Sequence, residues 1–125
     1  MTKCVLVIDD DPQIRAVASA SISLVGNWEV LTASSGADGV AQAGASQPDA
    51  ILLDVMMPGM DGPTTLRELR ASPATAEIPV IMLTATLGAG GGPPVFDLPV
   101  AAVIPKPFDI MGLAAQVAAA LGWDL

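Results

Sequence analysis

At 125 residues the chain is long enough to bury one hydrophobic core without disulfides or a structural metal, and residues 1–125 are expected to form a single domain. Thirteen acidic against five basic residues give a formal charge of −8, which repels phosphate backbones and argues against direct binding of nucleic acid. The absence of histidine excludes His-based catalytic triads and the common zinc sites built on His, and the apolar 52 % falls in runs too short to span a bilayer, so no membrane association is expected.

The start, Met1-Thr2-Lys3, leads straight into an apolar run without the three regions of a secretory leader, and a cytoplasmic protein is expected. Residues 4 to 8 read as a strand built on Val5-Leu6-Val7-Ile8. Cys4, the one cysteine, cannot form an internal disulfide and reads as a buried small hydrophobe. After Asp9-Asp10, Asp11 is placed to cap a helix and Pro12 suits its first turn. Ile14, Val17, Ala18, Ser21 and Val25 then keep helical spacing until Gly26. Residues 29 to 32 form a second strand pattern and residues 35 to 45 a weak, Ala-rich helix.

The third strand pattern, residues 50 to 53, ends on Asp54 and runs into Val55-Met56-Met57-Pro58-Gly59-Met60-Asp61-Gly62. A helix over residues 63 to 71 turns Leu66 and Leu69 inward and Arg67, Glu68 and Arg70 outward. Residues 79 to 83 and 101 to 104 supply two further strands. Between them stands Gly88-Ala89-Gly90-Gly91-Gly92-Pro93-Pro94, which opposes helix through backbone entropy and missing donors, so the crossover helix expected there is short or disordered. These glycines lack the Lys-Ser/Thr ending of a phosphate-binding P-loop. The last helix has Asp109 as its cap and an apolar stripe of Ile110, Leu113, Val117 and Leu121 before Gly122.

Five short apolar runs rich in β-branched residues are what strands covered on both faces look like, and their alternation with helices implies an α/β fold with a doubly wound parallel sheet. In the common order 2-1-3-4-5, strands 1 and 3 lie side by side at the topological switch point. Their carboxyl ends carry Asp9, Asp10 and Asp54, and the same edge collects Thr84 and Lys106. Taken singly, each has a plainer reading. The Asp cluster suits a turn and cap, Thr84 is a β-branched strand residue, Lys106 is a surface lysine, and Met56, Met57 and Met60 suit packing better than a soft metal site.

Taken together, Ile8-Asp9-Asp10-Asp11-Pro12, Leu53-Asp54-Val55-Met56-Met57-Pro58-Gly59-Met60-Asp61-Gly62, Leu83-Thr84-Ala85 and Pro105-Lys106-Pro107-Phe108 resemble the receiver domains of two-component response regulators, in order and spacing. The resemblance covers essentially the whole chain and implies a flavodoxin-like fold of the CheY-like superfamily. With no effector domain after Leu125, the chain resembles a stand-alone receiver or one cut from a longer protein.

The resemblance further implies that Asp54 takes a phosphoryl group from a phosphohistidine on a histidine kinase or histidine phosphotransfer protein, with Mg²⁺ as cofactor. Asp9, Asp10, Asp54 and the backbone carbonyl of Met56 would be the metal ligands, Asp9 partly through water. Thr84 and Lys106 would contact the phosphoryl oxygens, the Lys106-Pro107 bond would be cis, Ala85 would leave the approach open, and Met56 and Thr86 would flank the path of the water that later removes the group. Such a protein accepts a phosphoryl group and dephosphorylates itself; it is not a turnover enzyme on an external substrate. Its downstream protein target is unnamed by the sequence.

Two departures bear on the signal that phosphorylation would send. Many receivers place an aromatic switch residue three positions before the lysine, and here Val103 stands there. The Gly/Pro-rich crossover is the second. Both favour an alternative reading, a non-switching interaction module on the same fold. A Mg²⁺-dependent hydrolase of the haloacid dehalogenase type would need a second acid two residues after the nucleophile, where this chain has Met56. The Ala-rich, largely uncharged surface of the last helix suits a homodimer as well as it suits close packing on the sheet, and the sequence leaves the two open.

Overall fold

The computed structural model describes residues 2–84 and 100–124. The five apolar runs become β1 (Cys4–Ile8), β2 (Glu29–Ala33), β3 (Ala50–Asp54), β4 (Val80–Thr84) and β5 (Ala102–Pro105). All pair in parallel in the order β2-β1-β3-β4-β5, the order expected for a doubly wound sheet and the flavodoxin-like arrangement that the resemblance implies. Helices α1 (Pro12–Ala20), α2 (Gly36–Ser46), α3 (Gly62–Ala71) and α4 (Ile110–Leu121) flank the sheet. The crossover between β4 and β5, with Ala85 and Thr86, lies outside the described residues, and so does the expectation that its helix is short or disordered.

Successive side chains of a strand point to opposite faces, so each strand feeds two cores. Leu6, Ile8, Ile51, Leu53, Val80 and Met82 pack on one face against Ala43 of α2 and Leu66 and Leu69 of α3. Val5, Val7, Leu52, Ile81, Leu83 and Ile104 pack on the other against Ala18, Ile22, Leu113 and Val117. All five residues of β3 and of β4 are buried, as the central position of these strands requires. No helix among the described residues is long and apolar enough to cross a membrane.

The helix ends follow their side chains. Asp11, Ser35, Asp61 and Asp109 each accept a backbone N–H from the first turn of α1, α2, α3 and α4 respectively. Gly122 closes α4 with a left-handed backbone, φ 70°.

Four local expectations are corrected. The first helix does not run unchanged to Gly26; after Ala20 it widens into a π-helical turn, Ser21–Val25. There the buried Ser21 hydroxyl donates to the carbonyl of Ile110 and accepts the N–H of Ala114, at 2.9 Å for the latter, two groups that an undisturbed α-helix would pair with each other. Arg70 does not point outward. It folds back, half-buried, and donates to the carbonyls of Ala76 and Ile78 at 2.9 and 2.7 Å, which fastens the segment entering β4. Ile110, at the first position of α4, is 40 % exposed and stands outside the core that Leu113 and Val117 enter. Cys4 is half-buried rather than buried; burial and the charges of Glu29 and Asp49 push its thiol pKa up, away from reactivity.

Candidate functional site

The parallel sheet puts the carboxyl ends of β1, β3, β4 and β5 along one edge, with β1 beside β3 at the switch point. Asp9 follows β1, and its N–H donates to the carbonyl of Ala33 at the end of β2, 3.1 Å away. Asp54 is the last residue of β3, opposite Leu83 in the register with β4. Thr84 is the last residue of β4, opposite Pro105, and its carbonyl accepts the N–H of Lys106 at 2.8 Å. Asp9, Asp54 and Thr84 are all buried, whereas Asp10 and Met56 are exposed.

These separations of tens of residues in sequence collapse around one ammonium. Lys106 Nζ lies 2.9 Å from Asp9 Oδ2 and 2.9 Å from Asp54 Oδ1. The remaining oxygen of Asp9, Oδ1, accepts the N–H of Asp11 at 2.9 Å, and Asp54 Oδ1 also faces the N–H of Met56 at 3.4 Å. The Lys106-Pro107 peptide bond is cis. Beside the site, Gln13, Ile14, Ala16, Val17, Pro107 and Phe108 line an open groove of about 450 Å³ between α1 and the segment after β5.

Charge is unevenly matched here. Carboxylate oxygens of Asp9, Asp10 and Asp54 all lie within 4.8 Å of one another, against the single ammonium of Lys106. Burial and the neighbouring Asp9 charge push the Asp54 pKa up to about 6, and the hydrogen bond and charge of Lys106 only partly offset them. Burial pushes the Lys106 pKa down, but hydrogen bonds to Asp9 and Asp54 and their charges outweigh it, and the net displacement is upward. The lysine therefore stays charged, one cation facing three carboxyl groups. An all-oxygen set of three close carboxylates is the donor chemistry that hard divalent cations take, so these residues could hold a metal ion.

The loop from β3 to α3 is built tightly around Asp54. Gly62 begins α3 with its N–H on the carbonyl of Val55 at 2.9 Å, and a Cβ there would stand 2.5 Å from the Asp54 carbonyl oxygen. Gly59 takes φ +79° in the intervening turn, a backbone that favours glycine. Asp61, which caps α3, is held below the usual carboxylate range by the Thr64 backbone N–H and hydroxyl.

One polar contact at this edge escapes the sequence patterns altogether. Arg15 in α1 donates from Nη1 to the backbone carbonyl of Asp9 at 2.8 Å. The available signal is positional: a helical side chain leans toward the N-terminus, so a residue one turn past the cap Asp11 overlies the loop before it.

Residues 5–118 match the response regulator receiver domain family. Over 117 residues, 94 % of the chain, the sequence is 40 % identical to the DNA-binding dual master transcriptional regulator RpaA of Synechocystis, of which the match covers 48 %. It is 38 % identical over the same number of residues to the response regulator PleD of Caulobacter vibrioides, covering 26 % of that protein. The chain thus spans half or less of the length of these curated relatives. Among solved structures, chemotaxis protein CheY4 of Vibrio cholerae superposes with a TM-score of 0.86 at 27 % identity, covering 96 % of this chain and 99 % of that one. The receiver domain of the sensor histidine kinase PA1611 from Pseudomonas aeruginosa, which has a magnesium ion coordinated in its active site cleft, superposes with a TM-score of 0.84 at 27 % identity, covering 98 % and 99 %. On its sequence, its sheet order and the carboxylates and lysine gathered at one sheet edge, this chain belongs to the family of response regulator receiver domains.

Proposed function

We propose that the chain is a phosphoacceptor in a two-component phosphorelay, taking a phosphoryl group on Asp54 from a histidine kinase or histidine phosphotransfer protein in the cytoplasm. Receiver domains are signalling modules, generally not turnover enzymes. The observation that carries the reading is the shared contact of Lys106 with Asp9 and Asp54, 2.9 Å to each, beside the exposed Asp10.

In the proposed transfer an Asp54 carboxylate oxygen forms the bond to phosphorus. The phosphorus–nitrogen bond to the donor histidine breaks, and its electron pair stays on the imidazole nitrogen, which takes up a proton. With a pKa of about 6, Asp54 is mostly ionised at neutral pH and available for attack. Little covalent work falls to the protein in such a loose transition state, so its task is to position groups and match charge. Lys106 pairs with the phosphoryl oxygens, and the Thr84 hydroxyl at the end of β4 binds one of them. Asp9, Asp10, Asp54 and the Met56 carbonyl would hold Mg²⁺, which supplies positive charge against the phosphoryl oxygens when bound. The exposed Met56 side chain flanks the route by which water later hydrolyses the acyl phosphate. The groove along α1 and Phe108 is the surface that a donor protein would cover.

One observation favours a second reading. Val103, at the position of the aromatic switch residue, packs against the core on the α2 and α3 side and offers no ring to reorient. A receiver-fold module that binds partners without switching is the alternative. Intact mass after incubation with Mg²⁺ and a small acyl-phosphate donor separates the two. A single phosphoryl addition, lost in Asp54→Asn and in chelator, is expected; no addition to folded protein that binds Mg²⁺ would favour the non-switching module.

A further inference from the structure

Arg15 is the one charged residue in α1, and its guanidinium meets a carbonyl rather than a carboxylate. The ion pairs of the acidic cluster, among the described residues, are those of Lys106. Arg15 therefore contributes shape more than neutralisation. The Asp9 carbonyl that it holds, at 2.8 Å, belongs to the rigid plane of the Asp9–Asp10 peptide. Other bonds pin the surrounding loop: Asp11 N–H to Asp9 Oδ1 at 2.9 Å, Gln13 N–H to Asp11 Oδ1 at 2.8 Å, and Arg15 N–H to the Asp11 carbonyl at 3.0 Å. Of these contacts, the guanidinium's acts on the Asp9–Asp10 peptide that leads into Asp10, and the Asp11 N–H bond acts on the Asp10–Asp11 peptide that follows it. Asp10 is exposed, so its direction depends on that backbone more than on packing around its side chain.

We propose that Arg15 is a positioning residue for the acidic cluster: its guanidinium fixes the Asp9–Asp10 peptide and so aims the Asp10 carboxylate toward those of Asp9 and Asp54. The inference rests on the proposed role of this cluster as the metal and phosphoryl centre. Supporting groups behind metal ligands are known to govern affinity through orientation, and a charge-assisted bond to a carbonyl is a firm one.

The test measures Mg²⁺ binding by titration calorimetry on the full chain, as wild type, Arg15→Ala and Arg15→Lys, alongside the rate of phosphoryl uptake from a small acyl-phosphate donor at saturating Mg²⁺. Arg15→Ala is expected to weaken Mg²⁺ affinity roughly tenfold. Uptake at saturating Mg²⁺ should stay near the wild-type rate, because bound metal restores the geometry, and Arg15→Lys should recover most of the affinity. Should alanine unfold the chain, Arg15→Met keeps the packed stem and removes the donors, and the same outcomes apply. Wild-type affinity in the alanine or methionine variant overturns the assignment. So does an uptake defect that saturating metal leaves in place, or a lysine variant no better than alanine. A wild-type chain that binds no Mg²⁺ overturns the reading of the site itself, and this inference with it.

Discussion

Asp54 is buried between a cation and a like charge, and its effect on stability depends on which of them prevails. Its folded-state pKa of about 6 stands above the ordinary value of 3.8, through burial first and Asp9 second, against the pull of Lys106. The folded state therefore binds more protons than the unfolded chain across this window. Stability contributed by the protonated carboxyl is complete below about pH 4 and is lost as pH rises through about 6. Asp54→Asn removes the titration while keeping an acceptor for Lys106. The variant is accordingly expected to gain in melting temperature over wild type as pH rises from 4 to about 6.5, with a plateau above, in metal-free buffer. Melting curves of both proteins across this range check the sign; a gain that shrinks with rising pH would mean that Lys106, not burial, dominates the carboxyl.

Among the elements, α3 and its leading turn bear most directly on the site. Gly62 brings the start of α3 onto the backbone of Asp54 and Val55, and an added Cβ would stand 2.5 Å from the Asp54 carbonyl and 2.7 Å from Val55 Cα, both of which are backbone and cannot swing aside. Gly62→Ala is expected to cost about 1–3 kcal/mol by forcing the helix or the loop outward. It should also slow phosphoryl uptake, since the backbone pressed by the new methyl includes that of Asp54, whose carboxylate Lys106 meets at 2.9 Å. Denaturant midpoints and uptake rates on the same sample check both parts. A variant with wild-type stability and uptake would show that the close approach is tolerated.

Across the whole molecule, the acidic edge and the tryptophans lie at opposite ends of the sheet. Trp28 precedes β2, Trp123 follows α4, and their rings meet edge to face at 5.0 Å with Lys3 Nζ 5.3 Å from the Trp123 ring. The Glu29 N–H to Lys3 carbonyl bond places this cluster at the strand starts, while Asp9, Asp54 and Lys106 occupy the strand ends. Tryptophan emission is thus expected to report global unfolding and to stay unchanged on addition of Mg²⁺. A large metal-dependent change would mean that binding at one edge alters packing at the other.

At the same scale, the legible part of the molecule is its sheet. Short β-branched runs carry the strands because burial on both faces leaves few other compositions, and Asp9 just past β1 and Asp54 at the end of β3 meet Lys106 because the strand order forces it. Ser21 gave no warning of the π-helical turn, since its partners are Ile110 and Ala114, some ninety residues away. Helical periodicity turned Arg70 outward, but its guanidinium follows the carbonyls of the chain that leaves α3. Arg15 escaped notice because a contact with a backbone carbonyl leaves no mark on the partner's identity. Val103 and Asp54 were visible as residues, whereas the balance of charge around Asp54 needed the distances.

The central claim is that Asp54, of all the acids at this edge, becomes the acyl phosphate. Borohydride reduction of the phosphorylated chain converts an aspartyl phosphate to homoserine, and peptide mass mapping then locates it. Homoserine is expected at position 54 alone, in a Mg²⁺-dependent manner; homoserine at Asp9, Asp10 or Asp61, or at no position after confirmed phosphoryl addition, would contradict the claim.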